Sequence, residues 1–403
     1  MSTRRIVFAI LGMIAALETL FAEQTTSPQN STPKLDLAVL ERPRILLRAA
    51  KYLREQPITV TANQCARSAG GPHDFFSEGD YWWPDPSNPG GPYIRKDGMT
   101  NPDNFTAHRY AMVRLAEIVG TLASSYLLTG EERYAEGVRR HLEAWFVAQE
   151  KRMNPHLLYA QAIFGRSTGR GTGIIDTIHL MEVVRGAIAV QNSSKLKQTL
   201  PAVKKWFAEY LAWISSHTYG IEERDATNNH GSCWVMQAAV FAQFVGDAQT
   251  LAFCRRRFKE KLLPGQMAAD GSFPQELERT KPYGYSLFNL DTLATICQTL
   301  STAEDNLWTF TLPDGRSMQR GMEFLYPFMA DKSRWPYAKD VLYWDEWPAR
   351  HPSLLFAGLA LQNQSYLDLW SGLPADPAVD EVRRNLPVRH PLLWIDLPRR
   401  SRK

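Results

Sequence analysis

The chain has 403 residues, 44% hydrophobic and 22% charged, enough to bury a substantial core in one large domain or two ordinary ones. The formal charge of +4 sits at the ends: residues 1–22 carry +1, the tail Arg399, Arg400, Arg402 and Lys403 carries +4, and the body between them is −1. Basicity is therefore no argument for nucleic acid or a membrane surface, and an anionic ligand must be met by local positive residues.

Residues 1–22 read as a secretory signal: Arg4 and Arg5 form the positive end, Ile6 to Leu17 the apolar run, and Leu20-Phe21-Ala22 the cleavage end. The expected location is outside the cytoplasm, periplasmic or secreted, with no membrane span once the signal is removed. Residues 23–34 are rich in Ser, Thr, Gln and Pro and read as a flexible linker. Residues 35–395 are expected to form the folded body and 396–403 a basic tail. Cys65, Cys233, Cys254 and Cys297 lack C-x-x-C spacing, so neither a zinc cluster nor a redox dithiol is expected; disulfides and packed free thiols both stay open.

Leu35 to Glu55 predicts a helix interrupted near Pro43. From Thr61 to Asn104 Pro and Gly exclude regular structure, and Tyr81-Trp82-Trp83 within it suggests an aromatic lid or cleft wall that stacks on sugar rings. Helices are then predicted over Ala107–Leu128, closed by Thr129-Gly130, and from Glu131-Glu132 to Phe146. The loop after Arg152 holds Tyr159, Gln161, Arg166 and Arg170 among glycines, so backbone and guanidinium groups can approach a carboxylate or sulfate. Further helices are expected at 173–191, 195–217, His230 to Gly246, Asp247 to Leu262, 286–300, 316–329 and 352–361. Few stretches alternate with period two. The pattern is all-α, and repeated Gly-then-acid junctions suggest antiparallel helix pairs arranged as an incomplete α/α barrel, or toroid.

Two polar clusters stand out against this frame. Thr227-Asn228-Asn229-His230 lies where a polar loop meets a long amphipathic helix, and Arg279 to Tyr285 lies before the helix expected at Ser286. A guanidinium, a carboxamide, an imidazole and a phenol suit β-elimination on a uronic acid. Neutralising the carboxylate makes the C5 proton removable, a histidine can take it, and a tyrosine can protonate the departing oxygen or, with its pKa depressed by nearby cations, act as base. No metal or other cofactor is demanded, and the histidines lack H-E-x-x-H spacing.

Asn228-Asn229-His230 with Arg279 and Tyr285 resembles the alginate lyase family of toroidal polysaccharide lyases. Trp82-Trp83-Pro84, Asn154-Pro155 with Tyr159-Ala160-Gln161, Gly169-Arg170-Gly171, Trp308 with Pro313-Asp314-Gly315-Arg316 and Trp335-Pro336-Tyr337 extend the likeness over roughly residues 75–345. The resemblance implies a toroid and metal-independent elimination, with Asn229 and Arg279 neutralising, His230 and Tyr285 catalytic, and Tyr283 the competing tyrosine. Mannuronate-rich alginate is the first substrate implied, with other uronans open. Two other readings remain: a glycoside hydrolase using two of Glu222, Glu223, Asp225, Asp270, Glu276, Glu278 and Asp291, or a non-catalytic uronan-binding protein.

Overall fold

Two helix ends show how local chemistry sets the architecture. Gly130 (φ 75°) and Gly246 (φ 83°) adopt the left-handed conformation that closes a helix at least cost, and the Asp247 carboxylate accepts from the Thr250 amide to open the next. The computed structural model describes residues 34–396; the expected signal, all but the last residue of the linker and all but the first of the tail lie outside the described residues.

The helices longer than one turn are α1 (Leu37–Tyr52), α2 (Ala107–Thr129), α3 (Glu132–Phe146), α4 (Leu180–Val190), α5 (Thr199–Ser216), α6 (Thr218–Asp225), α7 (Asn229–Val245), α8 (Ala248–Arg257), α9 (Pro282–Leu300), α10 (Met318–Ala330), α11 (Pro352–Ala360), α12 (Gln364–Gly372) and α13 (Asp380–Arg384). Among the described residues there are four short strands: β1 (Phe76–Glu78) pairs in parallel with β4 (Tyr159–Ala162), and β2 (Trp82–Trp83) pairs antiparallel with β3 (Ile94–Arg95).

The fold is all-α, in two layers of helices. Helices α2, α4, α7, α9 and α11 pack in succession as an inner row, while α1 and α3 back α2, α5 and α8 back α7, α10 backs α9 and α12 backs α11. The inner helices α7 and α9 are buried on almost every side, as expected of helices apolar all round. Helix α2 is long and apolar enough to cross a membrane, but most of it is buried inside the protein as a core helix.

Several expectations change. Helix α1 runs unbroken through Pro43; the carbonyl deprived of its donor belongs to Val39, which is exposed and open to water. The polar stretch before Asn228 contains α6, which begins where His217 Nδ1 accepts from the Tyr219 amide, and Gly220 packs against the Ile214 backbone so closely that a Cβ would fall 1.9 Å from its carbonyl oxygen. The helix expected over 173–191 starts as a 3₁₀ segment, Gly171–Thr177, and α8 continues through a π-turn at Phe258–Leu262. Helix α9 begins at Pro282, a turn earlier than expected, because Asp340 caps it: its two carboxylate oxygens accept from the amides of Tyr283 and Gly284, both at 2.9 Å. The four cysteines are free thiols, three of them buried.

The C-terminal segment is locked onto the inner row by one buried carboxylate. Glu182 of α4 accepts from the amides of Arg389 (2.9 Å) and His390 (2.6 Å) and from His390 Nδ1 (2.8 Å). Gly120 of α2 makes room for that imidazole, since a Cβ there would lie 2.3 Å from Nδ1. Burial alone would raise the Glu182 pKa, yet the His390 and Arg389 contacts bring it down to about 2. A depressed carboxyl stabilises the fold above its ordinary value of 4.5 and loses that contribution as pH falls towards 2. Glu182→Ala is therefore expected to lower stability by about 3–5 kcal/mol at neutral pH, read as a drop in melting temperature, and to weaken the variant's dependence on pH below 4.5.

Candidate active site

A cavity of about 430 Å³ opens where seven stretches of chain converge: the loop carrying Asp80, Tyr81 and Trp82, Arg95 of β3, Arg109 of α2, the segment from Gln161 to His179, the end of α6 with the start of α7, the Arg279–Phe288 region, and Arg384-Asn385 at the end of α13. Asn229, His230, Arg279 and Tyr285, expected from the sequence to meet, all line it, as do Tyr81, Trp82, Gln161 and Arg170.

Three of these groups, His230, Asn229 and Arg279, are each held by an acid from a different segment. His230 sits in the first turn of α7, where Asn228 is the N-cap and its Oδ1 accepts from the His230 amide at 3.3 Å. His230 Nδ1 is 2.7 Å from Glu223 Oε1, so the ring's Nε2 is the nitrogen left for the cavity. Burial by itself lowers the imidazole pKa, but the charge and hydrogen bond of Glu223, with a smaller effect from Glu276, outweigh it and raise the pKa. Asn229 gives both its backbone amide (2.8 Å) and its Nδ2 (2.7 Å) to Glu276, which fixes the orientation of the carboxamide and leaves its second amide hydrogen. Arg279 donates its Nε edge to Asp97, Nε at 3.2 Å and Nη2 at 2.9 Å, and Nη2 also reaches the Tyr285 hydroxyl at 3.3 Å. Burial opposes ionisation of Asp97, but Arg279, Thr280 and Arg95 together bring its pKa down to about 2.

Tyr285 lies in the first turn of α9 with its hydroxyl 2.5 Å from that of Tyr81. The sequence reading expected nearby cations to depress its pKa. The cations are present, Arg279 4.3 Å and Lys281 5.5 Å from the ring, but burial and the neighbouring Tyr81 outweigh them and push the phenol well above its ordinary value.

Other expected ligand contacts fall elsewhere. Tyr283 is fully buried, with its hydroxyl donating to Phe328 O at 3.0 Å; two residues before Tyr285 on the same helix, it points to the opposite side, into the core. Trp83 alternates with Trp82 along β2, so only Trp82 lines the cavity, and Trp83 Nε1 donates to Met99 O. Tyr159 packs over Gly70, where a Cβ would sit 2.5 Å from its ring. Arg166 braces the wall from behind, its guanidinium 5.3 Å from the centre of the Trp82 ring and its Nε on Tyr93 O.

Sequence reasoning did not assign the residues that build one wall. Arg109 bridges Asp80 (2.7 Å) and Asp176 (3.4 Å), and Arg384 reaches Asp80 from the C-terminal side at 2.5 Å. Burial opposes the Asp80 charge, but these two guanidiniums hold its carboxyl far below the usual range. Glu223 and Glu276 were grouped with general candidates for hydrolysis, and the structure commits each to a neighbour, His230 and Asn229. Only their spacing from those neighbours was visible in the sequence, and spacing does not say which way an acid turns. Among the described residues no group of His, Cys, Asp and Glu side chains has the arrangement a metal ion needs.

An imidazole, a guanidinium, a carboxamide and a phenol thus line one polar cleft of a helical fold. The alginate lyase family profile matches residues 59–335. The structure is similar to that of an alginate lyase from Bacteroides ovatus, at 31% identity and TM-score 0.76 over 89% of this chain and 93% of that one. It is also similar in fold to alginate lyase A1-III from Sphingomonas species A1, at 14% identity and TM-score 0.55 over 88% and 95% of the two chains. A variant of A1-III complexed with tetrasaccharide gives 13% identity and TM-score 0.56 over 93% and 99%. No curated protein matches the sequence. The chain belongs to the alginate lyase family.

The Glu223–His230 contact yields a direct expectation. Titrated by nuclear magnetic resonance, the His230 ring should gain its proton above its ordinary value of 6.5, and in Glu223→Gln at a lower pH than in the wild type, since burial and the Arg170 charge are then opposed only by the smaller effect of Glu276. A His230 titration unmoved by Glu223→Gln would contradict the assigned contact.

Proposed function

We propose that this protein cleaves a uronic acid polymer by β-elimination, with mannuronate-type alginate the first substrate to test. In this reading the substrate carboxylate lies against the free end of the Arg279 guanidinium and the second amide hydrogen of Asn229, which stabilise the charge that develops as the C5 proton leaves. His230 Nε2 takes that proton, and Glu223 stabilises the imidazolium that forms. The C5–H electrons form the C4=C5 double bond and the C4–O bond breaks. The oxygen takes the proton of the Tyr285 phenol and leaves as the new reducing end of the other fragment.

The observation that supports this most is the way the acids are used. Glu223, Glu276 and Asp97 each hold one of the three groups His230, Asn229 and Arg279. Asp291 is likewise committed, to His351 and Ser353, and Asp225 to Arg224 and Arg257. Acids tied up in this way serve a cleft built on cationic and amide groups rather than one built on a free carboxylate pair. The raised pKa of Tyr285 suits a proton donor, and the raised pKa of His230 sets the acid side of the pH profile. Activity should fall as pH drops through that raised value.

The reading includes export through the signal-like first 22 residues. Full-length protein retained inside the cell with those residues intact would remove that part of it.

Elimination is told from hydrolysis by the ultraviolet absorbance of the conjugated double bond. A panel of alginate, its two homopolymer blocks, glucuronan and hyaluronan should give absorbing products from at least one uronan. Reducing ends without absorbance would mean hydrolysis, and tight binding with unchanged chain length would mean a non-catalytic protein. On the cleaved polymer, His230→Ala and Tyr285→Phe should each lower turnover by about two to four decades, and Arg279→Ala by as much or more. Near-normal rates in the first two variants would remove these assignments.

A further inference from the structure

Among the described residues Lys281 is the only buried lysine, and it stands one helical turn before Tyr285. It caps the start of α9, where its carbonyl accepts from the Tyr285 amide at 3.0 Å. Residues four apart along a helix lie on one side, so the two side chains are neighbours. The ammonium does not line the cleft. It sits among three phenol rings, 5.2 Å from the centre of Tyr81, 5.5 Å from Tyr285 and 5.4 Å from Tyr343. Tyr343 reaches it from a left-handed backbone, φ 64°, which a bulky residue keeps only where its surroundings impose it.

One carboxylate holds this ammonium. Lys281 Nζ donates to Glu381 Oε1 of α13, and Glu381 Oε2 pairs with Arg384 Nε at 2.7 Å. Arg384 continues to Asp80, and Asp80 to Arg109. Charges of alternating sign thus run through the wall of the cleft, with Lys281 at the end that meets the phenols. A buried Lys–Glu pair is a poor source of stability, since well-packed apolar side chains of similar volume serve as well or better. Stability therefore does not account for a charge placed against the Tyr285 ring.

The elimination proposed above does account for it. When the phenol protonates the departing oxygen, the O–H electron pair stays on the Tyr285 oxygen. His230 then releases to solvent the proton it took from C5, solvent returns one to the phenolate, and both groups are restored. Burial, then the neighbouring Tyr81, disfavour that phenolate; of the two cations that favour it, Lys281 acts more strongly than Arg279. Arg279 lines the cleft and, in the same reading, also serves the substrate carboxylate, whereas Lys281 lies behind the ring with no such second duty. We propose that Lys281 is a positioning residue for the elimination: held by Glu381 behind the Tyr285 ring, its ammonium supports the negative charge that develops on the phenol oxygen as the proton is given up. This rests on the proposed elimination and adds to it a group that never touches the polymer.

Two measurements test it, both on the full chain. On a uronan that the wild type cleaves, followed by ultraviolet absorbance, Lys281→Met should lower kcat roughly 10- to 100-fold, the reach of one charge at this separation, and leave KM within about twofold, because no contact with the polymer is lost. Lys281→Arg, which restores the charge, should recover most of the loss. The second measurement needs no turnover. A ring-fluorinated tyrosine placed at position 285, with a phenol acidic enough to ionise while the protein stays folded, is titrated by its own absorbance. Its ionisation should move to higher pH in Lys281→Met and to lower pH in Glu381→Gln, where the ammonium is no longer offset. An unchanged kcat in Lys281→Met, a change in KM alone, or a titration that neither variant moves would overturn the role of Lys281 and leave the elimination standing. Absence of absorbing product from the wild type on every uronan would instead remove the elimination, and the role with it. Where Lys281→Met does not fold, the direction of the Glu381→Gln shift decides the matter.

Discussion

An imidazole, a carboxamide and a guanidinium cannot be half-buried in the wall of a helical protein unless something pairs with them, and here that need organises the site. Three acids answer it: Glu223 at the end of α6, Glu276 in the turn before α9, and Asp97 in the long loop after β3. Each belongs to a segment other than the one whose group it holds, so the contacts also tie loop, turn and helix ends to one another. A buried acid beside a base costs desolvation that only good geometry returns. Each carboxylate therefore takes one defined edge of its partner and leaves the opposite edge to the cavity: Nε2 of His230, the second amide hydrogen of Asn229, the far end of Arg279.

What the sequence disclosed follows from how local each signal is. The ends of α2 and α7 were readable because glycine closes them in place, and α3 and α8 because an acid follows directly. The chemical quartet was readable through the family resemblance, since Asn229-His230 and Arg279 with Tyr285 lie in two short stretches. Choices made by distant residues were hidden. Asp340, more than fifty residues downstream, sets the start of α9 and so decides that Tyr285 faces the cleft and Tyr283 the core. Pairing of β2 with β3 decides between Trp82 and Trp83. The cations around Tyr285 were visible in the sequence, but the burial that overrides them was not, and the expected direction of its pKa was reversed.

Helix α6 shows the same limit at smaller scale. Its eight residues carry almost no amphipathic pattern, and it exists because His217 caps it and Gly220 lets it press against the backbone of α5. Glu223 rides on it. The acid that tunes the imidazole is thus supplied by the element least legible in the sequence.

The stretch matched by the family profile ends at residue 335, whereas the cleft does not. Arg384 and Asn385 arrive from beyond that point, pinned through Glu182 and His390, and complete the wall around Asp80. The proposed reactive groups all lie within the profile-matched stretch, while part of the enclosure around them comes from the terminal piece beyond it. Exchanging the terminal piece between relatives would graft a new boundary onto an unchanged reaction centre, which makes this stretch the natural place to redraw which chains the cleft admits.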